Sequence, residues 1–216
     1  MEKLIVIYDK EKPDLGRDKY IKAIKRQIPS AIVASIGELP DCTVSKMLVL
    51  KPMNYGDYET LKTFLKYNSD HDVEGVASGK LTITAEAIIR VIGPVDKKTV
   101  VIINQSDVLG IPLAKELIER GANVISLNSS YPCIDNLLTM TDVDILVSAS
   151  GKYEFKLDRI LTRMIDVKVD LSDDLEDPIK ITTVPTVEVL KERLEEWKRL
   201  KKRKRRLQLM SWPMSR

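Results

Sequence analysis

Apolar residues along this chain fall into two alternating patterns, short unbroken runs and helical spacings. Leu4–Tyr8 is an unbroken run and predicts a first strand. After a loop with Pro13 and Gly16, Asp18 is placed to cap a helix through about Gln27. Tyr20, Ile21, Ile24 and Ile28 lie near helical spacing there, and Pro29 stops it. Ala31–Ile36 and Lys46–Leu50 read as strands, the second ended by Pro52, and Tyr58–Tyr67 as a helix with Leu61, Phe64 and Leu65 on one face. Helical spacing returns over Thr84–Ile92 and ends at Gly93-Pro94. Thr99–Ile103, Asn123–Leu127, Asp144–Ala149 and Ile165–Leu171 then predict strands. Between them lie helices at Gly110–Arg120, which Gly121 stops, at Ile134–Thr139 and, briefly, at Arg159–Arg163.

Short apolar strands that alternate with helices belong to parallel sheets covered on both faces. The expected class is α/β. Residues 1–92 form a small N-terminal α/β domain, and 93–185 a Rossmann-type parallel-sheet domain. Residues 186–216 form a long helix that returns to the N-terminal domain and ends in a basic tail. No internal repeat is present. The last element runs from Val187 to about Leu209 without Gly or Pro. Its first part, VEVLKERLEEW, is amphipathic; its second carries eight cations among the nine positions Lys198–Arg206.

Charge sharpens that division. The net charge of +3 hides nine Lys/Arg and no Asp/Glu in 198–216; removing those nine from the total of 35 leaves 26 cations against 32 acids. The body is therefore near −6 and the tail near +9. No run approaches the roughly 20 apolar residues of a membrane span, and the N-terminus lacks the layout of a secretion signal, so a cytoplasmic protein is expected. Cys42 and Cys133 are far apart and belong to no CxxC pair, which fits free thiols. His71 is the single histidine. It lies between Asp70 and Asp72 in what reads as a polar turn, and no metal site is expected.

Several short motifs occur in a fixed order. Residues 100–130, VVIINQSDVLGIPLAKELIERGANVISLNSS, follow a strand–turn–helix–strand plan with Ser106 in the turn and Gly110 and Pro112 at the start of the helix. Then come Asp144–Lys152 (DILVSASGK), Met164–Val169 (MIDVKV) and Ile181–Pro185 (ITTVP). Before them stand Lys19–Lys25 (KYIKAIK), Val49–Pro52 (VLKP), His71–Gly75 (HDVEG) and Thr84–Ile89 (TAEAII). This ordered series, from residue 1 to about 197, resembles the methylenetetrahydrofolate dehydrogenase/cyclohydrolase family, shortened by the family's usual first helix.

The resemblance implies an NAD(P) site built from Asn104, Gln105, Ser106, Val108, Gly110, Ser129, Ser130 and Gly151, a folate ligand, and a homodimer. It also implies acid/base work on the folate by a lysine helped by a tyrosine and a glutamine, with an aspartate on the pterin. Tyr20 holds the tyrosine place. The lysine place is Ile24; Lys25 follows it but lies ~140° around the helix from Tyr20, out of reach of an atom Tyr20 would touch. The glutamine place is Leu50, or Lys51 with a slipped register, and the aspartate place is Glu74. The catalytic candidates are thus Tyr20, Lys25 and Glu74. The family's glycine-rich loop after its P-V-P is absent, since Pro185 runs straight into Thr186-Val-Glu-Val-Leu190. In the cofactor turn Asn104 replaces a glycine, for which its tolerance of left-handed backbone suits it. Gln105 and Ser130 stand where basic residues would meet a 2′-phosphate. NAD is therefore favoured over NADP, with an empty crevice as the alternative.

Two readings follow. One is a relative of the folate enzyme with impaired or lost catalysis, kept as a binding or structural module. The other is an active NAD-dependent dehydrogenase with rearranged groups. In either, Lys198, Arg199, Lys201, Lys202, Arg203, Lys204, Arg205 and Arg206 suit an anionic partner, first of all nucleic acid or a nucleoprotein. The apolar Leu207, Leu209, Met210, Trp212 and Met214 that follow leave a membrane surface or a protein groove as alternatives, beside a solvated tail without a partner.

Overall fold

The computed structural model describes residues 3–12, 14–40, 45–176 and 183–210. Two parallel sheets organise it. The first has the order β2-β1-β3, from β1 (Leu4–Tyr8), β2 (Ile32–Ser35) and β3 (Lys46–Val49). The second has the order β5-β4-β6-β7, from β4 (Thr99–Ile103), β5 (Asn123–Leu127), β6 (Ile145–Ser148) and β7 (Val167–Asp170). In each, the chain starts in the middle and winds outward. β1 pairs with both β2 and β3, and β4 with both β5 and β6.

The unbroken apolar runs have a direct cause. Successive side chains on a strand point to opposite faces, and both faces here are covered. On β1, Leu4 and Val6 join Ile24, Leu48 and Leu50 on one face, while Ile5 and Ile7 join Tyr58, Leu61 and Leu65 on the other. On β4, Val100 and Ile102 face Leu113 and Leu117, and Val101 and Ile103 face Ile134, Leu138 and Leu157. No polar alternation is possible on a strand placed this way.

The covering helices are α1 (Leu15–Gln27), α2 (Tyr55–Tyr67), α3 (Ile83–Ile92), α4 (Gly110–Glu119), α5 (Ile134–Met140), α6 (Arg159–Thr162) and α7 (Thr183–Met210). Helix α3 joins the two halves: Ile83 and Ala87 pack into the core of the first sheet, and Ala85, Ile88, Ile89 and Ile92 into that of the second. Helix α7 returns to the first sheet, where Val187, Val189, Leu190 and Leu194 enter its core beside Ile24 and Ile83. Arg193 fastens it there, donating to the carbonyls of Val73 (3.1 Å) and Glu74 (2.9 Å) and to the Glu86 carboxylate (2.5 Å). A single guanidinium so satisfies carbonyls of the irregular segment that follows its one bridge to β3 at Met47 and Asp72.

Some local expectations are corrected. Asp14, not Asp18, caps α1: its carboxylate accepts from the Arg17 N–H at 2.6 Å, leaving Asp18 as a first-turn acid that favours the helix dipole. Helix α2 begins at Tyr55, three residues early, because Gly56 is tolerated in its first turn. Phe64 is 42% exposed although Leu61 and Leu65 are buried; its ring instead lies 6.1 Å from that of His71. Helix α7 starts at Thr183 and carries Pro185 in its first turn, where the missing N–H has no helical partner to lose. Cys42, residues 177–182 and Trp212 lie outside the described residues.

Candidate functional site

The residues expected around a dinucleotide do gather in one place. Asn104–Gly110 follow β4, Ser129 and Ser130 follow β5, and Gly151 follows β6, so all lie at the carboxyl ends of the second sheet. That edge is where an open parallel sheet receives ligands. The turn after β4, however, is satisfied from within. Asn104 Oδ1 accepts from the N–H of Ser106 (2.9 Å), the Ser106 hydroxyl (2.8 Å) and the N–H of Gly110 (2.9 Å). Ser106 Oγ accepts from the Leu109 N–H at 3.2 Å. Of these donors, the Leu109 and Gly110 N–H groups open α4. The other end of Asn104 donates to the Ala149 carbonyl at 2.7 Å, tying β4 to β6 across the crevice floor.

Asn104 does not use left-handed backbone; among the described residues the non-glycine positions with positive φ are Lys97 and Asp173. Its side chain, rather than its backbone freedom, explains its presence. Gln105 donates to the Ser126 carbonyl at 3.0 Å. Ser130 folds back on Asn128 through both its N–H and its hydroxyl. The Gly151 N–H donates to Ser172 Oγ at 3.1 Å, and Gly151 has φ 66°. Nearby, the buried Asp174 carboxylate collects the hydroxyls of Ser148 and Ser150, each at 2.6 Å, and the Ser150 N–H at 2.9 Å.

Across the crevice the loop reaches the first half. Asp107 accepts from Lys51 Nζ (2.8 Å), Lys62 Nζ (2.8 Å) and the Tyr58 hydroxyl (3.0 Å). Val108 packs against the core cluster of the first sheet that contains Tyr58 and Leu61. Burial pushes the Asp107 carboxyl up, but hydrogen bonds from Lys51 and Lys62, the Lys51 charge and the Tyr58 hydroxyl outweigh it and hold the group down to about 2. Burial, then the Asp107 charge and hydrogen bond, push the Tyr58 phenol far up, so it remains a donor. Nothing in the local periodicity marked this cluster; Lys51, Tyr58, Lys62 and Asp107 meet only through the packing of the two sheets. Asp107→Ala is expected to cost about 1 kcal/mol, discounted because the three ionic side chains are 29–39% exposed. The cost should shrink when Lys51→Met and Lys62→Met are already present. Urea melts of the four combinations measure that coupling, and simple additivity would refute a latch.

The catalytic candidates separate. Lys25 Nζ donates to the Ala31 carbonyl at 3.0 Å at the far end of α1. Ile24 and Leu50, the expected lysine and glutamine places, are 0% and 8% exposed and lie in the same apolar core, while Lys51, the glutamine place in the slipped register, donates to Asp107. Tyr20 and Glu74 do come together. The Tyr20 hydroxyl is buried without a hydrogen-bond partner, and burial and the Glu74 charge push it well up, against the pull of Arg193. Glu74 is 7% exposed and accepts from the Ile83 N–H at 3.2 Å. Burial pushes its carboxyl to about 7, while the Arg193 charge and the Ile83 N–H pull it back. Val49, Tyr58, Lys62, Leu65, Asp72 and Glu74 line a cavity of about 20 Å³ here, room for one water. His71 donates its Nδ1–H to the Ser45 carbonyl at 2.6 Å.

The arm residues continue α7 as helix. Lys198, Arg199, Lys202, Arg203, Lys204 and Arg206 are exposed, and Lys201 is half-buried. Among the described residues no helix is long and apolar enough to cross a membrane.

Two parallel sheets, joined by α3 and clasped by a returning C-terminal helix, define a two-part α/β protein whose second part is Rossmann-like. The particular arrangement is the methylenetetrahydrofolate dehydrogenase/cyclohydrolase fold. The chain is similar to the Trypanosoma brucei dehydrogenase-cyclohydrolase crystallised with NADP and an inhibitor (TM-score 0.69, 16% identity, covering 92% of this chain and 87% of that one). It is also similar to the NAD-dependent 5,10-methylenetetrahydrofolate dehydrogenase of Saccharomyces cerevisiae (TM-score 0.66, 16% identity, 91% and 87% covered). A third likeness is to a 5,10-methylenetetrahydrofolate dehydrogenase from the silkworm Bombyx mori (TM-score 0.65, 17% identity, 93% and 89% covered). No family model and no curated protein matches the sequence.

Proposed function

We propose that this protein is a non-catalytic relative of the folate dehydrogenases. In this reading it serves as a binding module whose basic helix contacts an anionic partner. One observation carries it: Ile24, at the place the resemblance gives to the proton-transferring lysine, is sealed in the apolar core of the first sheet, and so is Leu50, the glutamine place unless the register slips to Lys51, whose Nζ is committed to Asp107 at 2.8 Å. Their groups are not merely substituted; hydrocarbon fills the space in which they would act. General acid/base catalysis needs a titratable donor within about 3 Å of the reacting atom. Lys25, anchored on Ala31, offers no substitute.

The cofactor side supports the same reading. Pyrophosphate is held by uncommitted N–H groups at a helix start, and those of Ser106, Leu109 and Gly110 are engaged by Asn104 and Ser106. A cavity of about 20 Å³ beside Glu74 is far below the roughly 300–1,000 Å³ of small-molecule sites.

A second reading, an active NAD-dependent dehydrogenase, is favoured by one observation, the meeting of Tyr20 and Glu74 in a shared buried site. Gln105 and Ser130 would make its cofactor NAD rather than NADP. One assay separates the two. The purified chain is incubated with methylenetetrahydrofolate and NAD or NADP, and the absorbance of the reduced cofactor is followed. No turnover above the heat-inactivated control is expected. Turnover that Tyr20→Phe abolishes would establish the enzyme instead.

A further inference from the structure

Within the body, α7 faces inward along one seam. Val187, Leu190 and Leu194 are buried on it and Trp197 is half-buried. One turn and two turns beyond Trp197, the same seam carries Lys201 and Lys204. The switch from apolar to cationic explains why the helix stops following the body. Trp197 is its last aromatic anchor, with Lys46 Nζ 5.2 Å and Lys201 Nζ 5.3 Å from its ring centre. From there α7 continues to Met210, a projection of about 20 Å at 1.5 Å per residue.

Around this projection the cations are not gathered on one side. At 100° per residue, the positions Lys198, Arg199, Lys201, Lys202, Arg203, Lys204 and Arg206 sweep an arc of about 260°. The remaining gap of about 100° holds the Leu200 and Leu207 positions. Arg199 pairs with Glu195 one turn earlier at 3.8 Å, and from Lys198 onward the sequence adds no acidic residue. A flat anionic surface touches at most about half of a cylinder, and a helix lying on a membrane needs a broad apolar face turned away from its cations. This distribution has no such face. A groove walled by phosphates on both sides matches it. The major groove of a B-form duplex is about 12 Å wide and 8.5 Å deep, which takes a helix about 10–12 Å across for most of its girth. The A-form major groove is too narrow.

We propose that the projecting part of α7, from Lys198 to Arg206, lies in the major groove of double-stranded DNA with its cations on both phosphate walls. Lysine and arginine there contact the backbone and position the protein, so binding carries little sequence preference. The inference rests on the reading of the arm as the contact surface, and its readout is separate from folate turnover.

The test uses the full chain and a mixed-sequence DNA duplex of about three helical turns. With about five phosphates neutralised, raising salt from about 50 to 200 mM should weaken binding roughly 500-fold. A variant carrying Lys198→Gln, Arg199→Gln, Lys202→Gln, Arg203→Gln and Arg206→Gln changes only exposed positions. With an unchanged melting temperature it should bind at least about 100-fold more weakly at low salt and show a much flatter salt dependence. Tighter binding to an RNA duplex of the same sequence, or to phosphatidylserine vesicles, would overturn the proposal. So would full binding by the five-fold variant. If DNA binding fails while the protein stays inert toward folate, only this inference falls; if folate turnover appears, the non-catalytic reading falls by itself.

Discussion

Gly110→Ala is expected to destabilise the protein by about 3 kcal/mol, the upper end for overpacking a tight site. A Cβ on Gly110 would lie 1.9 Å from the Asn104 carbonyl oxygen and 2.4 Å from its carbon. Those atoms are backbone, fixed by the last residue of β4 on one side and by the Asn104 side-chain bond to the Ala149 carbonyl on the other, so neither can swing aside. The cost is steric and not conformational, because Gly110 opens α4 with ordinary helical backbone. For a chain of this size the melting temperature should fall by about 6–12 °C. Gly56→Ala is the control: nothing lies within 4 Å of its added Cβ, and helix propensity alone predicts a small gain. Equal melting temperatures for Gly110→Ala and wild type would show that the turn can open.

The second large effect is one of pH. The Glu74 carboxyl is raised from 4.5 to about 7 by burial, with Arg193 and the Ile83 N–H pulling against it. Between those two pH values the folded protein holds a proton that the unfolded chain has released. Stability from this group is therefore present in full below about pH 4.5, declines as pH rises through about 7, and is level above that. The difference amounts to roughly 3 kcal/mol. Glu74→Gln keeps an oxygen for the Ile83 N–H and removes the titration. Its stability relative to wild type should improve by about that amount between pH 4.5 and 8. Urea melts across this range test it, and parallel curves for the two proteins would refute it.

Much of the fold was legible in the sequence for a simple reason. A strand covered on both faces must be apolar at successive positions, so Leu4–Tyr8 and Thr99–Ile103 announced themselves with their ends. Errors fell where local chemistry competes. Asp14 and Asp18 are both plausible caps, and only the backbone geometry at Asp14 decided between them. Phe64 matched the spacing of Leu61 and Leu65 yet lies at the rim, because the loop around His71 passes there.

The candidate site divides the same way. The departures at Ile24, Leu50, Asn104 and Gln105 could be read directly, since they concern residue type at a place in an ordered series. What those residues do could not. Asn104 was expected to supply backbone freedom and instead supplies an acceptor for three donors. The latch of Asp107 with Lys51, Tyr58 and Lys62 joins positions 45–56 residues apart. The clamp of Arg193 on Val73, Glu74 and Glu86 spans more than 100.

The sequence by itself determined the alternation of strands and helices, the two-sheet α/β class and the charge asymmetry of the last helix. Each follows from the periodicity and composition of neighbouring residues. The tertiary structure decided what depends on distant residues sharing a volume. It placed Ile24 and Leu50 in one core, used the donors of the turn after β4 within the turn itself, and bridged the two halves with a carboxylate from one and two lysines from the other. Hydrogen bonds and ion pairs between remote segments leave no period in the sequence, because their geometry exists only once both sheets have formed.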